Sequence, residues 1–230
     1  MARPSRLVWF FDLDDTLHNA STHVFGALSL AMTDYIATHI GVPREEANRL
    51  RVLYWQRYGA TLLGLVRHHG VAPAHFLHHT HRLSGVEPLL HCHAHDLAAL
   101  RRLPGRKFLL TNAPRAYAER VLAALGIAPC FEAVIAFEQM RMFGQLRPKP
   151  DARMFRHLLA GLKLHASDCV LVEDTLVHQK AARRVGMQTV WMQRWLHGSQ
   201  LHGPAAAARL RRRPVYVDRR INRLSTLLQG

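Results

Sequence analysis

A chain of 230 residues, 49% of them hydrophobic, is long enough for one main domain with a smaller insertion, and for the buried core of a globular protein. The 31 basic against 16 acidic residues give a formal charge of +15, which favours anionic partners; no recognition-helix, RNP or zinc-finger pattern accompanies it, so nucleic acid is not expected and a solvated basic surface is the simpler reading. The opening Met1-Ala2-Arg3-Pro4-Ser5-Arg6 fits neither a signal peptide nor a membrane span, and Cys92, Cys130 and Cys169 lack disulfide or zinc-type spacing, so a cytoplasmic protein with reduced thiols and no membrane partner is expected.

The first element is Leu7-Val8-Trp9-Phe10-Phe11, a short apolar run suited to a strand buried on both faces. Asp12 and Asp14 follow at once, and a spacing of two in extended chain points both carboxylates to one side. Two acids in one pocket suit a nucleophile with a general acid and base; a solvated turn in which Asp15-Thr16 starts a helix is the alternative. From 18 to 91 the pattern is helical, an α-helical cap inserted into a core made of 1–17 and 92–230. Phe25, Leu28, Met32, Tyr35 and Ile36 form one stripe, Gly41-Val42-Pro43 breaks it, one or two helices run from Glu45 to His69 around Tyr58-Gly59, and a shorter one follows Pro73. Of the crowded His68, His69, His75, His78, His79 and His81, His75 and His79 have chelating i, i+4 spacing, but with no acid near them exposed or capping roles are expected. Tyr54, Trp55 and Tyr58 have the helical spacing of core aromatics, with stacking on a base as the alternative.

After the cap, Lys107-Phe108-Leu109-Leu110 reads as a strand ending at Thr111-Asn112, where a hydroxyl and backbone N–H groups can hold phosphate oxygens before a helix starts at Pro114. Ala133-Val134-Ile135 is a further strand. Lys149, in Arg147-Pro148-Lys149-Pro150-Asp151, sits in a proline-restricted loop near a strand end and can offset phosphoryl charge, although most loop lysines are simply solvated. A helix follows, carrying Met154, Phe155, Leu158, Leu159 and Leu162. Val170-Leu171-Val172 ends at Glu173-Asp174, where a carboxylate can meet Asp12 across the sheet and bind a hard cation, for which magnesium is the natural choice. Thr189 to Met192 is another strand, Pro204 to Ala208 a surface connection or short helix, and Val215-Tyr216-Val217 the last strand. Strands separated by helices imply an α/β fold with a doubly wound parallel sheet and its site at the carboxyl ends of the strands.

Taken in order, Asp12-Leu13-Asp14-Asp15-Thr16, Thr111-Asn112, Lys149-Pro150 and Glu173-Asp174 resemble the four motifs of the haloacid-dehalogenase-like (HAD) superfamily, over nearly the whole chain. The helical segment resembles the cap of its cap-after-motif-one class, and the stretch from Tyr54 to Gly70 is similar to the cap signature of the pyrimidine 5′-nucleotidase family. The resemblance implies a magnesium-dependent hydrolase of a small phosphate monoester, with a nucleotide such as UMP or CMP as substrate. Asp12 would be phosphoryl acceptor and metal ligand, Asp14 acid and base and a further metal ligand, Thr111, Asn112 and Lys149 the phosphate-binding groups, Asp174 a metal ligand and Glu173 a ligand through water. A sugar-phosphate mutase, a general phosphatase or a dehalogenase would share the nucleophile, and Asp14 disfavours the last. Two positions depart from the pattern: His178, where many relatives carry Asp or Asn, and Leu63, where some nucleotidase relatives carry Arg.

Overall fold

Val8, Trp9, Phe10 and Phe11 are all buried, and a run with no polar face can only lie inside a sheet that is covered on both sides. In the computed structural model, which describes residues 7–196 and 212–229, they form β1 (Val8–Phe11) at the centre of the main sheet. Residues 1–6 and the alanine-rich run 204–208 lie outside the described residues.

The chain continues through α1 (Ala20–His23), α2 (Phe25–Ile36) with a π-helical turn at Ala37–Gly41, α3 (Arg44–Tyr58), α4 (Thr61–His69), α5 (Pro73–His81) and α6 (Ala94–Arg102). Then come β2 (Arg106–Leu110), α7 (Arg115–Ala124), β3 (Ala133–Ile135), the hairpin of β4 (Arg141–Met142) and β5 (Gln145–Leu146), and α8 (Ala152–Gly161). The last elements are β6 (Cys169–Glu173), α9 (Leu176–Arg184), β7 (Gln188–Met192) and β8 (Arg219–Ile221). Six strands pair in parallel in the order β3-β2-β1-β6-β7-β8, the doubly wound arrangement. Strand order reverses between β1 and β6, and in open sheets of this kind the crevice at that switch point, outside the carboxyl ends of the strands, is where ligands bind.

Alternation along β1 sends side chains to both faces. Phe10 stacks on Phe108 at 5.3 Å and joins Phe155 and Leu171 on one face, each such burial contributing about 1.5–3 kcal/mol. Trp9 and Phe11 stack on each other at 6.1 Å, and Phe11 meets the edge of Phe131. On the first face α8 supplies Met154, Phe155 and Leu159, and it begins where Asp151 caps it by accepting the N–H of Arg153 at 2.8 Å.

Two compact units result, 1–22 with 90–230 and 23–89. Within the second, α3 stops at Gly59, whose φ of 80° is the left-handed conformation that glycine adopts freely and whose N–H closes the helix on the Trp55 carbonyl. In α4, a Cβ at Gly64 would lie 2.2 Å from Cγ of Tyr54, so α3 and α4 approach at a point that has room only for glycine. All three cysteines are free, and no helix among the described residues is long and apolar enough to cross a membrane.

Three features differ from the sequence patterns. Val215 and Tyr216 lie in a turn, with Val215 fully exposed, and the final strand starts at Arg219. Asp218 sets this register: its carboxylate accepts the Thr189 N–H at 2.9 Å and its own N–H reaches the Thr189 carbonyl at 3.1 Å, so pairing begins one residue later, with Arg219 opposite Val190. An edge strand tolerates the arginines that follow. Second, Lys149 follows the β4–β5 hairpin and not a strand of the main sheet. Third, α6 carries too short an apolar face, Ala99 and Leu100, to announce itself by periodicity.

Candidate active site

Asp12 is placed by the sheet. Its N–H donates to the Val172 carbonyl at 3.0 Å and so extends the β1–β6 ladder one step, which sets Asp12 across the switch point from Glu173 and Asp174. Oxygens of these three carboxylates lie within 4.8 Å of one another, the one such group of potential metal ligands among the described residues. Lys149 reaches them from a loop far along the chain. Its ammonium donates to Asp12 Oδ1 at 2.6 Å and to Glu173 Oε2 at 2.7 Å, and its side chain is 1% exposed.

One cation among three carboxylates, two of them buried and Asp174 half-buried, leaves an imbalance, and the proton affinities record it. Burial pushes Glu173 up, but Lys149 and His178 outweigh it and hold the carboxyl well below its ordinary range. Asp12 is pushed up to about 8, by burial and by Glu173, against the pull of Lys149. Asp174 is raised well above its ordinary value by burial and by the Glu173 and Asp12 charges. Lys149 is opposed by burial yet held above its ordinary range by Asp12 and Glu173. The Lys149–Glu173 charges are matched; those of Asp12 and Asp174 are not. An all-oxygen donor set with uncompensated negative charge fits a hard dication such as magnesium.

The other expected residues gather around this point in different ways. Thr111, 1% exposed at the end of β2, accepts the Ala113 N–H at 3.0 Å, which leaves its hydroxyl proton to donate. Asn112 spends its side chain on Lys149: its amide donates to the Lys149 carbonyl at 2.9 Å and its oxygen accepts the Lys149 N–H at 3.0 Å. It therefore enters the site as a clasp on the lysine loop. His178, the departure noted at the fourth motif, lies 3.1 Å from Glu173 Oε2, where it adds to the positive surroundings of that carboxylate.

Asp14 is near enough for its charge to raise the proton affinity of Asp12, but its carboxylate stands outside the metal-type trio. Asp14 Oδ1 accepts the Tyr117 hydroxyl at 2.9 Å and sits 2.9 Å from Nε2 of the fully buried His18. The chain turns sharply beyond it, with Asp15 at a φ of 56° and its carboxylate accepting the Ser21 N–H at 2.8 Å and the Ser21 hydroxyl. Burial and the Asp14 charge keep Tyr117 protonated far above neutrality, so it serves Asp14 as a donor. Sequence reading missed both partners, because Tyr117 reads as one more apolar position of α7 and His18 as a loop residue.

A nucleophile-type aspartate at a strand end, a buried lysine across from it and an acidic pair on the next strand form one constellation within residues 8–186, which match the family described as haloacid dehalogenase-like hydrolase. The chain belongs to this family. Among curated proteins, this HAD-like hydrolase is 27% identical over 197 residues to "Phosphate metabolism protein 8" of Saccharomyces cerevisiae, covering 80% of this chain and 60% of that protein. It is also 34% identical over 113 residues to "Phosphoglycolate phosphatase, plasmid" of Cupriavidus necator, covering 49% and 46%. The chain thus spans 60% and 46% of the length of these two relatives. Its fold is similar to that of an HAD phosphatase from Thermococcus onnurineus, with a TM-score of 0.62, 19% identity and coverage of 97% and 96%. CbbY from Rhodobacter sphaeroides, solved with phosphate, gives 0.62, 19%, 96% and 95%, and a 2-haloacid dehalogenase from Pseudomonas syringae gives 0.56, 21%, 97% and 96%.

Proposed function

We propose that this HAD-like hydrolase cleaves phosphate monoesters through a phosphorylated Asp12, and that its substrate is a pyrimidine nucleoside 5′-monophosphate, UMP or CMP. The observation that carries the reaction is the buried Lys149 ammonium shared by Asp12 and Glu173, with Asp14 held apart on Tyr117 and His18. An Asp12 oxygen forms a bond to phosphorus as the bond to the ester oxygen breaks, and Asp14 gives its proton to that departing oxygen. Asp14, now a base, takes a proton from a water whose oxygen attacks the phosphorus, releasing phosphate and restoring Asp12. Lys149 and the Thr111 hydroxyl offset and orient the phosphate oxygens. Asp12 and Asp174 would hold magnesium, with Glu173 reaching it through water; the ion would supply positive charge to the phosphate and favour ionised Asp12.

The pyrimidine part rests on the cap signature from Tyr54 to Gly70. Within it, the Tyr54 and Tyr58 hydroxyls are engaged by His69 and His68 at 2.7 and 2.6 Å, whereas Trp55 keeps a ring that is 54% exposed and suited to stacking on a base. Free phosphate released from UMP, CMP, the purine monophosphates, phosphoglycolate and hexose phosphates, with magnesium and with EDTA, tests both parts. UMP and CMP should lead by about tenfold or more, with EDTA abolishing release. A flat profile would reduce the reading to a general phosphatase, an isomerised sugar phosphate would make it a mutase, and salt-sensitive nucleic-acid binding without phosphate release would remove the enzyme reading.

Tyr117→Phe tests the role of Asp14. Loss of one hydrogen bond to a carboxylate is worth about 1.5–3 kcal/mol, so kcat should fall about tenfold or more, with KM nearly unchanged and the pH profile of kcat altered. A rise in KM alone would assign Tyr117 to substrate binding.

A further inference from the structure

We propose that His39, His75 and His79 form a second metal site, a three-imidazole surface site for a borderline dication such as Zn2+, lying wholly within the unit made of 23–89. His75 and His79 stand one turn apart on α5, and His39 comes to them from the π-helical turn after α2. The ring centres are 4.3 Å apart for His75–His79, 5.0 Å for His39–His75 and 5.6 Å for His39–His79. Three imidazoles on one tetrahedral zinc, at about 2.1 Å from metal to nitrogen, have ring centres about 5 Å apart.

Tyr35, buried in the core of the same unit, organises two of these rings. Its ring stacks on His39 at 4.1 Å and 16°, its backbone carbonyl accepts from His39 Nδ1 at 3.0 Å, and its hydroxyl meets His75 Nδ1 at 2.8 Å. A carbonyl can only accept, so His39 carries its proton on Nδ1 and presents the lone pair of Nε2. The same tautomer at His75, with Nδ1–H donating to the phenol oxygen, frees its Nε2 likewise. Metal-bound histidines are characteristically oriented in this way, through the nitrogen that does not bind the metal. The other cap histidines are arranged differently: His68 and His69 use Nε2 on the Tyr58 and Tyr54 hydroxyls, and His78 Nε2 lies 3.1 Å from an Arg82 guanidinium nitrogen.

All three histidines are exposed, and with His39 and His75 held by Tyr35 it is His79, engaged by no hydrogen bond among the described residues, that would turn to close the set; among those residues only the acidic trio at Asp12 already has its ligand atoms within 4.8 Å of one another. No ligand in the set is charged and water would complete the tetrahedron, which favours zinc over magnesium. A bound ion would join the C-terminal end of α2 to α5.

The test is a calorimetric zinc titration of the full chain with magnesium in excess to occupy the acidic trio, repeated with Co2+ to read the visible bands of tetrahedral coordination. His39→Gln should weaken zinc binding by about tenfold or more, and the pair His75→Gln with His79→Gln should remove it along with the cobalt bands, whereas His78→Gln should leave both unchanged. Circular dichroism of each variant verifies that the helical unit is folded. Absence of a stoichiometric zinc in the wild type, equal binding by His39→Gln, or a loss in His78→Gln as large as in the pair would overturn the site.

Discussion

Asp12→Asn should cost phosphate release at least about ten-thousandfold and, in the absence of metal, make the protein more stable at alkaline pH. Both effects have one source, a carboxylate placed for chemistry where folding alone would not place it. Asparagine keeps the shape and can still accept from Lys149, but it cannot form the bond to phosphorus. The stability effect has a definite sign. Asp12 titrates near 8 in the folded chain, because of burial and Glu173, against an ordinary value of 3.8. Below about pH 4 the group is protonated in both states and its contribution is fully present. As pH rises through the window from about 4 to about 8, the unfolded chain gives up its proton first, and that contribution is lost. Asn cannot titrate, so its advantage over the wild type should grow across the same window to the order of a few kcal/mol. Urea unfolding in EDTA at both ends of the window measures it. A variant that turns over near the normal rate sinks the nucleophile assignment, and one whose stability keeps the wild-type pH dependence sinks the electrostatic account.

Lys149→Met carries the opposite sign. Removing the ammonium leaves the buried Glu173 charge without its lysine partner, a type of change that costs about 3–5 kcal/mol. Phosphate release should be lost as well, and Lys149→Arg should not restore it, since a planar fork cannot replace a compact ammonium donating to two oxygens in a closed space. Glu173 determines the pH behaviour. Its carboxyl is held well below the ordinary 4.5, so the stability it contributes is complete above that value and is lost as pH falls toward the depressed folded value. The gap between Lys149→Met and wild type should therefore be widest near neutrality and narrow in acid. A loss under about 1 kcal/mol at neutral pH would show Lys149 to be a solvated loop residue, as most loop lysines are.

Much of the fold is legible in local patterns. Val8 to Phe11 has no polar face, so it had to be a central strand; Gly59 and Asp151 mark helix boundaries by their own chemistry; and Asp12, Thr111 and Glu173-Asp174 each follow directly on a buried apolar run. Where local pattern and tertiary contact disagreed, contact prevailed. Val215 to Val217 has better strand composition than Arg219 to Ile221, yet the Asp218–Thr189 anchor and the tolerance of an edge strand decided the register. The Asn112 side chain holds the backbone of Lys149, a partner that no local pattern indicates.

The sequence by itself determined that there is a parallel α/β core interrupted by a helical segment, and which side chains stand at its strand ends, because both follow from residue periodicity and from what a buried strand excludes. Only the tertiary structure decided which of those side chains meet. That Lys149 lies between Asp12 and Glu173, that Tyr117 and His18 hold Asp14, and that His39 joins His75 and His79 all depend on strand order and helix packing. Apart from His18 on Asp14, four residues away, and the single turn between His75 and His79, these contacts join residues far apart along the chain, and their energy comes from burial and charge at the meeting point, which no stretch of sequence contains alone.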